Sequence, residues 1–454
     1  MHLILLSGGS GKRLWPLANG VRSKQFLKLL RSDDGEMESM IERVFRQLKD
    51  SKGNIKWESI TVVAGKTQED QLKMQLPFDV NILIEPDRRD TFPAISYAVA
   101  WLYNKKGVSK DDVIAIMPVD PFVSVDFFNS VAMIENEILI GNTDILLLGC
   151  KPAYPTEKYG YIIADYEKEG AERISFAVKR FIEKPSMKDA KILIEKGAFW
   201  NCGVFGMKLG LIIDILSQHY DIFNFNKSYM DKAFYSLPKI SFDYEVLESA
   251  NKIRMIEYDG SWEDLGTWES LTDKMDERII GNVISDKSSV SSHIINELTT
   301  PVVALGIKDS VVIASHDGIL LAAKNETHRL KDFLPDVNLR PMYEKKRWGE
   351  YFVLDYKKTE ACDILTKKLI INKGKQISYQ LHKHRKEVWT ITSGKALLYY
   401  DGIKRELNEG VTISIAVGMK HGIYALTDIE LIEIQFGNPL IEEDIIRLEM
   451  NWKV

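Results

Sequence analysis

Short apolar runs recur through the first half of the chain: His2–Leu6, Ile60–Ala64, Val80–Ile84, Val113–Met117 and Ile145–Gly149. They are rich in β-branched residues and show no alternation, which predicts strands buried on both faces. Between them lie helix-period patterns at Glu38–Leu48, Gln68–Gln75, Thr91–Tyr103 and Asp126–Ile140. Strand and helix in turn, over residues 1–275, predict an α/β domain: a mostly parallel mixed sheet with helices on both faces. Ligands of such sheets sit at the carboxyl ends of the strands, where the turn after Leu6 and the Asp120 loop fall.

The texture then changes. Over 276–335 the runs shorten to Asn282–Ile284, Val302–Leu305, Val311–Ala314 and Ile319–Ala323, split by Asp, Ser and Gly turns. This predicts a small β-rich linking module. The polar stretch Lys331–Lys346 reads as a linker, and 345–454 as an all-β barrel or double-sheet roll.

Composition narrows the functional classes. The chain has 454 residues, enough for two or three domains, and a net charge of −5, which offers no basic field for nucleic acid. Cys150, Cys202 and Cys362 lie far apart without C-x-x-C spacing. They suggest no disulfide framework, and they fit a reducing compartment, the cytoplasm. The first apolar run is too short for a signal peptide, and no run approaches the ~18 apolar residues of a membrane span. Small molecules are the expected partners, with a homodimer as the expected assembly.

The first run breaks into Gly8, Gly9, Ser10 and Gly11, followed by Lys12 and Arg13, then Lys24 and Gln25. Glycines let several backbone N–H groups converge on one anion, and the cations add fixed charge, which suits a triphosphate. The pattern is not a P-loop, because Arg13 stands where Ser or Thr is needed, nor a dinucleotide fingerprint, because Leu14 is not glycine.

The whole string G-G-S-G-K-R-L-W-P-L, with K-Q-F-L behind it, resembles the signature of the nucleotide-sugar pyrophosphorylases, in particular the mannose-1-phosphate guanylyltransferases. Further segments match in order: Glu85–Ile95, Ile116–Phe122, Pro155–Ile162, Phe181–Pro185, Trp200–Phe205, Ser241–Glu248 and Trp262–Trp268. The resemblance covers residues 1 to about 330. It implies a Rossmann-like nucleotidyltransferase fold and attack of a sugar 1-phosphate on the α-phosphorus of a nucleoside triphosphate. GTP and mannose 1-phosphate are the leading pair, with another sugar phosphate or base as the alternative. That nucleophile is already an anion, so the chemistry asks for charge neutralisation, in-line positioning and a metal rather than an activated side chain.

The resemblance also implies roles. Gly8, Gly9, Ser10, Gly11, Arg89 and Thr91 would bind the nucleotide, with Arg13 and Lys24 on the triphosphate. Asp120 and Asp264 would hold Mg²⁺. Lys184 would reach the sugar phosphate, Glu183 the sugar hydroxyls, and Asn201 and Gly203 would line the pocket, with Gly160 allowing close approach. Pro185 biases Lys184 towards an extended conformation. Three positions depart from the family: Asp90 for the usual Asn, Phe92 for a small residue, and Pro121 for a His.

Gln380–Gly394 (Q-L-H-K-H-R-K-E-V-W-T-I-T-S-G) resembles the cupin domain of type II phosphomannose isomerases. In an extended strand His382 and His384 face one way. With Glu387 and His421 they would form a divalent-metal site for Zn²⁺ or a similar ion. A bifunctional chain that also isomerises mannose 6-phosphate is the alternative reading. Against it, Val388 stands where these isomerases carry His. After the matching E-E-D-I-I-R run (Glu442–Arg447), the usual Tyr-Gly-Arg finish is missing.

Overall fold

The computed structural model describes residues 1–9, 11–53, 55–141, 143–166, 174–219, 227–250, 252–334, 340–441 and 444–449. The chain forms two compact units: 1–14 with 23–277, and 15–22 with 278–454.

The first unit is built on a nine-stranded sheet. Its order is Asn81–Glu85, Ile60–Gly65, His2–Ser7, Val113–Pro118, Phe199–Lys208, Ile145–Cys150, Ile253–Tyr258, Ser175–Ile182, Tyr161–Asp165. Strand alternation sends neighbouring side chains to opposite faces. Leu3, Leu5, Val62, Ala64, Ala115 and Met117 pack with helices Met40–Asp50 and Val125–Ile140 on one face. Ile4, Val63, Ile114 and Ile116 pack with Thr91–Lys106 and Leu209–His219 on the other.

The sheet is less parallel than its pattern predicts. Parallel pairing holds from Asn81–Glu85 to Val113–Pro118. Phe199–Lys208 then runs antiparallel to both its main neighbours, and Ser175–Ile182 to both of its own. An apolar run reports burial on both faces and says nothing about the direction of its neighbours.

In the second unit, Ile279–Gly281, His293–Asn296 and Ser310–Ser315 stack in parallel without intervening helices, and Gly318–Ala323 closes antiparallel on the last. The stretch read as a linker contains a strand, Tyr343–Lys346, paired with Gly349–Lys357. With it, the following strands form a six-stranded and a five-stranded sheet, all antiparallel within the described residues. Of the two forms expected for this region, the described residues therefore form the two-sheet roll and not the closed barrel. No helix among the described residues is long and apolar enough to cross a membrane.

Candidate functional sites

The first strand ends at Ser7, and the chain turns through Gly9 (φ 93°) and Gly11 (φ 61°), left-handed geometry that glycine adopts without strain. Gly8 is exposed, and Ser10 lies outside the described residues. Arg13 sits in the short helical turn Lys12–Leu14, and Lys24 opens another, Lys24–Phe26. Gln25 donates from Nε2 to Ser7 Oγ at 2.9 Å, tying the second turn to the end of the first strand.

Asp120 follows the strand Val113–Pro118, and Asp264 pairs in register with Pro121 in a small antiparallel bridge. Both aspartates meet at Lys24. Its Nζ lies 3.1 Å from Asp120 Oδ2 and also contacts Asp264 Oδ1. Burial works against the Lys24 charge, yet the two carboxylates outweigh it and raise its pKa. Asp264 mirrors this: burial pushes its carboxyl up, and the charges of Lys24, Arg13 and Lys158 override it downwards. Two oxygen donors on one cationic centre suit Mg²⁺, which prefers carboxylate oxygen. Arg13, Lys24, Asp120 and Asp264 therefore form one electrostatic group.

A second group lies around Gly160. A Cβ at this position would meet Glu183 Oε2 at 2.7 Å and the Phe181 ring at 2.9 Å, so any larger residue would displace one of them. Asn201 N–H donates to the Gly160 carbonyl (2.8 Å), and Asn201 Nδ2 to Asp243 Oδ1 (3.1 Å). The strand carrying Asn201 has an irregular register between Asn201 and Phe205, with Gly203 at φ 70°. Lys184 Nζ pairs with Glu183 Oε1 at 2.5 Å. The extended backbone expected at Lys184 is not adopted. Its φ is 45°, in the bend that follows the strand Ser175–Ile182, so the turn overrides the preference set by Pro185.

Asp243 and Tyr159 join this group although the sequence reading gave them no role. Burial, and then the Glu183 charge, push the Asp243 carboxyl up to about 7. Tyr159 stacks edge-on between Trp200 and Trp262, at 5.1 and 5.0 Å. Burial and then the Asp264 charge raise the pKa of its hydroxyl, so it links the Gly160 group to the aspartate pair. Its place beside Gly160 in K-Y-G-Y was the available signal.

Arg89 and Thr91 are engaged elsewhere in the same unit. Arg89 Nη2 donates to the Leu237 carbonyl (3.0 Å), and Thr91 Oγ1 accepts from Phe242 N–H (2.8 Å). They fasten the start of helix Thr91–Lys106 to the segment that presents Asp243. Asp90, between them, caps that helix from a backbone at φ 74°, ψ −177°, which is strained for any residue but glycine.

In the second unit His382, Glu387 and His421 converge, their ligand atoms within 4.8 Å of one another. All three are buried. His421 Nδ1 donates to the Met419 carbonyl (2.9 Å), which turns Nε2 towards Glu387 Oε2 at 3.5 Å. That buried nitrogen makes no hydrogen bond. His382 Nε2 lies 3.2 Å from Glu387 Oε1, and burial lowers the His382 pKa to about 4, so the ring is neutral at pH 7. Burial alone would push Glu387 up, but His421, His382 and Arg385 hold it at about 2. Two imidazoles and a carboxylate, with the buried His421 Nε2 lacking a hydrogen-bond partner, fit a divalent ion.

His384 is not in this cluster. The strand Tyr379–His382 stops at His382, the chain bends, and His384 is exposed. Asp444 fixes the bend by accepting the N–H groups of Lys383 (2.9 Å) and His384 (3.2 Å). Of the E-E-D-I-I-R run, Glu442 and Glu443 lie outside the described residues.

Residues 2–278 match the nucleotidyl transferase family, and residues 340–450 match the C-terminal domain of mannose-6-phosphate isomerase. A mannose-1-phosphate guanylyltransferase of Salmonella montevideo is 28% identical, with 98% of each chain covered. The alginate biosynthesis protein AlgA of Pseudomonas aeruginosa is 28% identical over 98% of this chain and 96% of its own. A crystal structure titled mannose-1-phosphate geranyltransferase, from Thermus thermophilus, shares the fold with a TM-score of 0.60 at 24% identity, covering 73% of this chain and 97% of that one. Through the match that spans residues 2–278, more than half of its length, the chain belongs to the nucleotidyl transferase family.

Proposed function

We propose that this chain is a guanylyltransferase that converts GTP and mannose 1-phosphate to GDP-mannose and pyrophosphate. The observation that carries the reading is the meeting of Asp120 and Asp264, from distant loops, on the ammonium of Lys24 beside Arg13 and the glycine turn. Full-length relatives named mannose-1-phosphate guanylyltransferase support the choice of substrates.

On this reading a phosphate oxygen of the sugar phosphate attacks the α-phosphorus of GTP. A new P–O bond forms, the bond from the α-phosphorus to the bridging oxygen breaks, and pyrophosphate leaves. Asp120 and Asp264 would hold Mg²⁺, which when bound neutralises phosphate charge. Backbone N–H groups of the turn at Gly8, Gly9 and Gly11 receive the triphosphate, and Arg13 and Lys24 balance its remaining charge. Lys184 holds the phosphate of the sugar phosphate in line. Glu183, Asp243 and Asn201 offer acceptors and a donor to the sugar hydroxyls, and Gly160 leaves room for the ring. Arg89 and Thr91 act by holding the segment before Asp243. The roll would hold a divalent ion such as Zn²⁺ on His382, Glu387 and His421. The substrates are then small molecules of the cytoplasm.

The test is pyrophosphate release by purified protein with Mg²⁺ across four nucleoside triphosphates and several sugar 1-phosphates. GTP with mannose 1-phosphate should dominate, and Asp120→Ala and Asp264→Ala should each remove most turnover with circular dichroism unchanged. Equal turnover in either variant would overturn the reading.

A further inference from the structure

Residues 15–22 belong to the second unit, although the chain enters them from Arg13–Leu14 and leaves them into Ser23–Lys24. Several contacts hold them there. Arg22 forms a two-bond fork with Glu297, Nη1 to Oε2 at 2.9 Å and Nη2 to Oε1 at 2.7 Å. Asn19 Oδ1 accepts the N–H groups of Val21 (2.9 Å) and Arg22 (2.7 Å), while its Nδ2 donates to Asp317 Oδ2 (2.6 Å). Ser315 Oγ donates to the Pro16 carbonyl at 2.9 Å. Gly318 approaches Trp15 so closely that a Cβ would sit 2.3 Å from the indole.

The receiving groups are themselves fixed. Glu297 N–H donates to the Ala314 carbonyl (2.9 Å), and Asp317 Oδ1 accepts Met342 N–H (2.6 Å). The Arg22 and Glu297 side chains are only 23% and 27% exposed, and their forked geometry makes the pair stronger than an open surface ion pair.

We propose that Arg22–Glu297 is a positioning contact for nucleoside-triphosphate binding: by fixing the shape of the segment 15–22 it sets the spacing of that segment's two ends, Arg13–Leu14 and Ser23–Lys24. The proposal rests on the guanylyltransferase reading. The backbone at Gly8 and Gly9 is open, with nothing within 4 Å of a Cβ placed on either. Such a turn must be ordered when a triphosphate binds, and pinning the segment that follows Arg13 reduces the entropy lost at that moment.

The test uses the full chain with Arg22→Ala, with the milder Glu297→Gln, and with the reversed pair Arg22→Glu/Glu297→Arg. Hydrogen exchange at residues 11–14 and 23–27 is measured without nucleotide, and KM is measured separately for GTP and mannose 1-phosphate. Arg22→Ala should speed exchange and raise the KM for GTP by about tenfold each, the loss of one charged fork. The KM for mannose 1-phosphate should stay put, Glu297→Gln should move the same quantities less, and the reversed pair should restore both. Unchanged exchange, an unchanged KM for GTP, an equal rise in both KM values or failure of the reversed pair would each overturn the proposal. A wild-type chain that releases no pyrophosphate would sink the activity reading alone, and the exchange measurement would still decide whether the contact orders the turn.

Discussion

The ammonium of Lys24 stands 3.1 Å from the carboxylate of Asp120, and the same ammonium contacts Asp264. Remove it, and two carboxylates face each other across a mostly buried site, an arrangement that attracts a divalent cation. Lys24→Met should therefore gain more thermal stability from millimolar Mg²⁺ than the wild type does, in melting curves without nucleotide. Its turnover should fall at least ~100-fold, the scale of losing one charge that stabilises the transition state. Equal gains from Mg²⁺ in both proteins would show that Lys24 does not act on the aspartate pair.

Gly160→Ala places a methyl group 2.7 Å from Glu183 Oε2 and 2.9 Å from Phe181. One of the two must move, at a stability cost of about 1–3 kcal/mol. We expect the KM for mannose 1-phosphate to rise about tenfold, the loss of one good polar contact, with the KM for GTP unchanged. A shift confined to GTP would place this group on the wrong substrate.

Asp243 gives a pH dependence. Burial and the Glu183 charge let the native carboxyl keep its proton up to about 7, whereas the unfolded chain releases it near ~4. The native state binds the extra proton, so its stability rises as pH falls from about 7 to about 4, and the gain is gone once pH has climbed through 7. Asp243→Asn, which cannot titrate, should flatten that part of the profile. Melting temperatures at half-unit pH steps check it, and parallel profiles for the two proteins would refute it.

For the roll we expect one divalent ion per chain after incubation with Zn²⁺ and desalting, read by elemental analysis. His382→Ala, Glu387→Gln and His421→Ala should each lose it, and His384→Ala should keep it. Retention in the first three or loss in the fourth would show a different ligand set.

The alternation of Leu3, Ile4 and Leu5 between two packed faces was legible, because burial on both sides of a sheet leaves a continuous apolar run. The glycine turn was legible because left-handed backbone at Gly9 and Gly11 restricts the residue type. Three things were not. The antiparallel placement of Phe199–Lys208 depends on partners the run does not name. The exposure of His384 depends on Asp444, far along the chain, ending a strand that local alternation would continue. The environment of Asp243 depends on Glu183 and Asn201, brought up by other strands. In each case the deciding contact is long-range, and a local pattern carries no record of it.

The backbone crosses between the two units three times, after residues 14, 22 and 277. Recombination at the last crossing alone would hand the transferase a foreign C-terminal half while residues 15–22 still carried the old counterpart's complement. Grafting one half onto another relative therefore requires exchanging two separated stretches together, and chimaeras joined by one splice should inherit a mismatched Arg22.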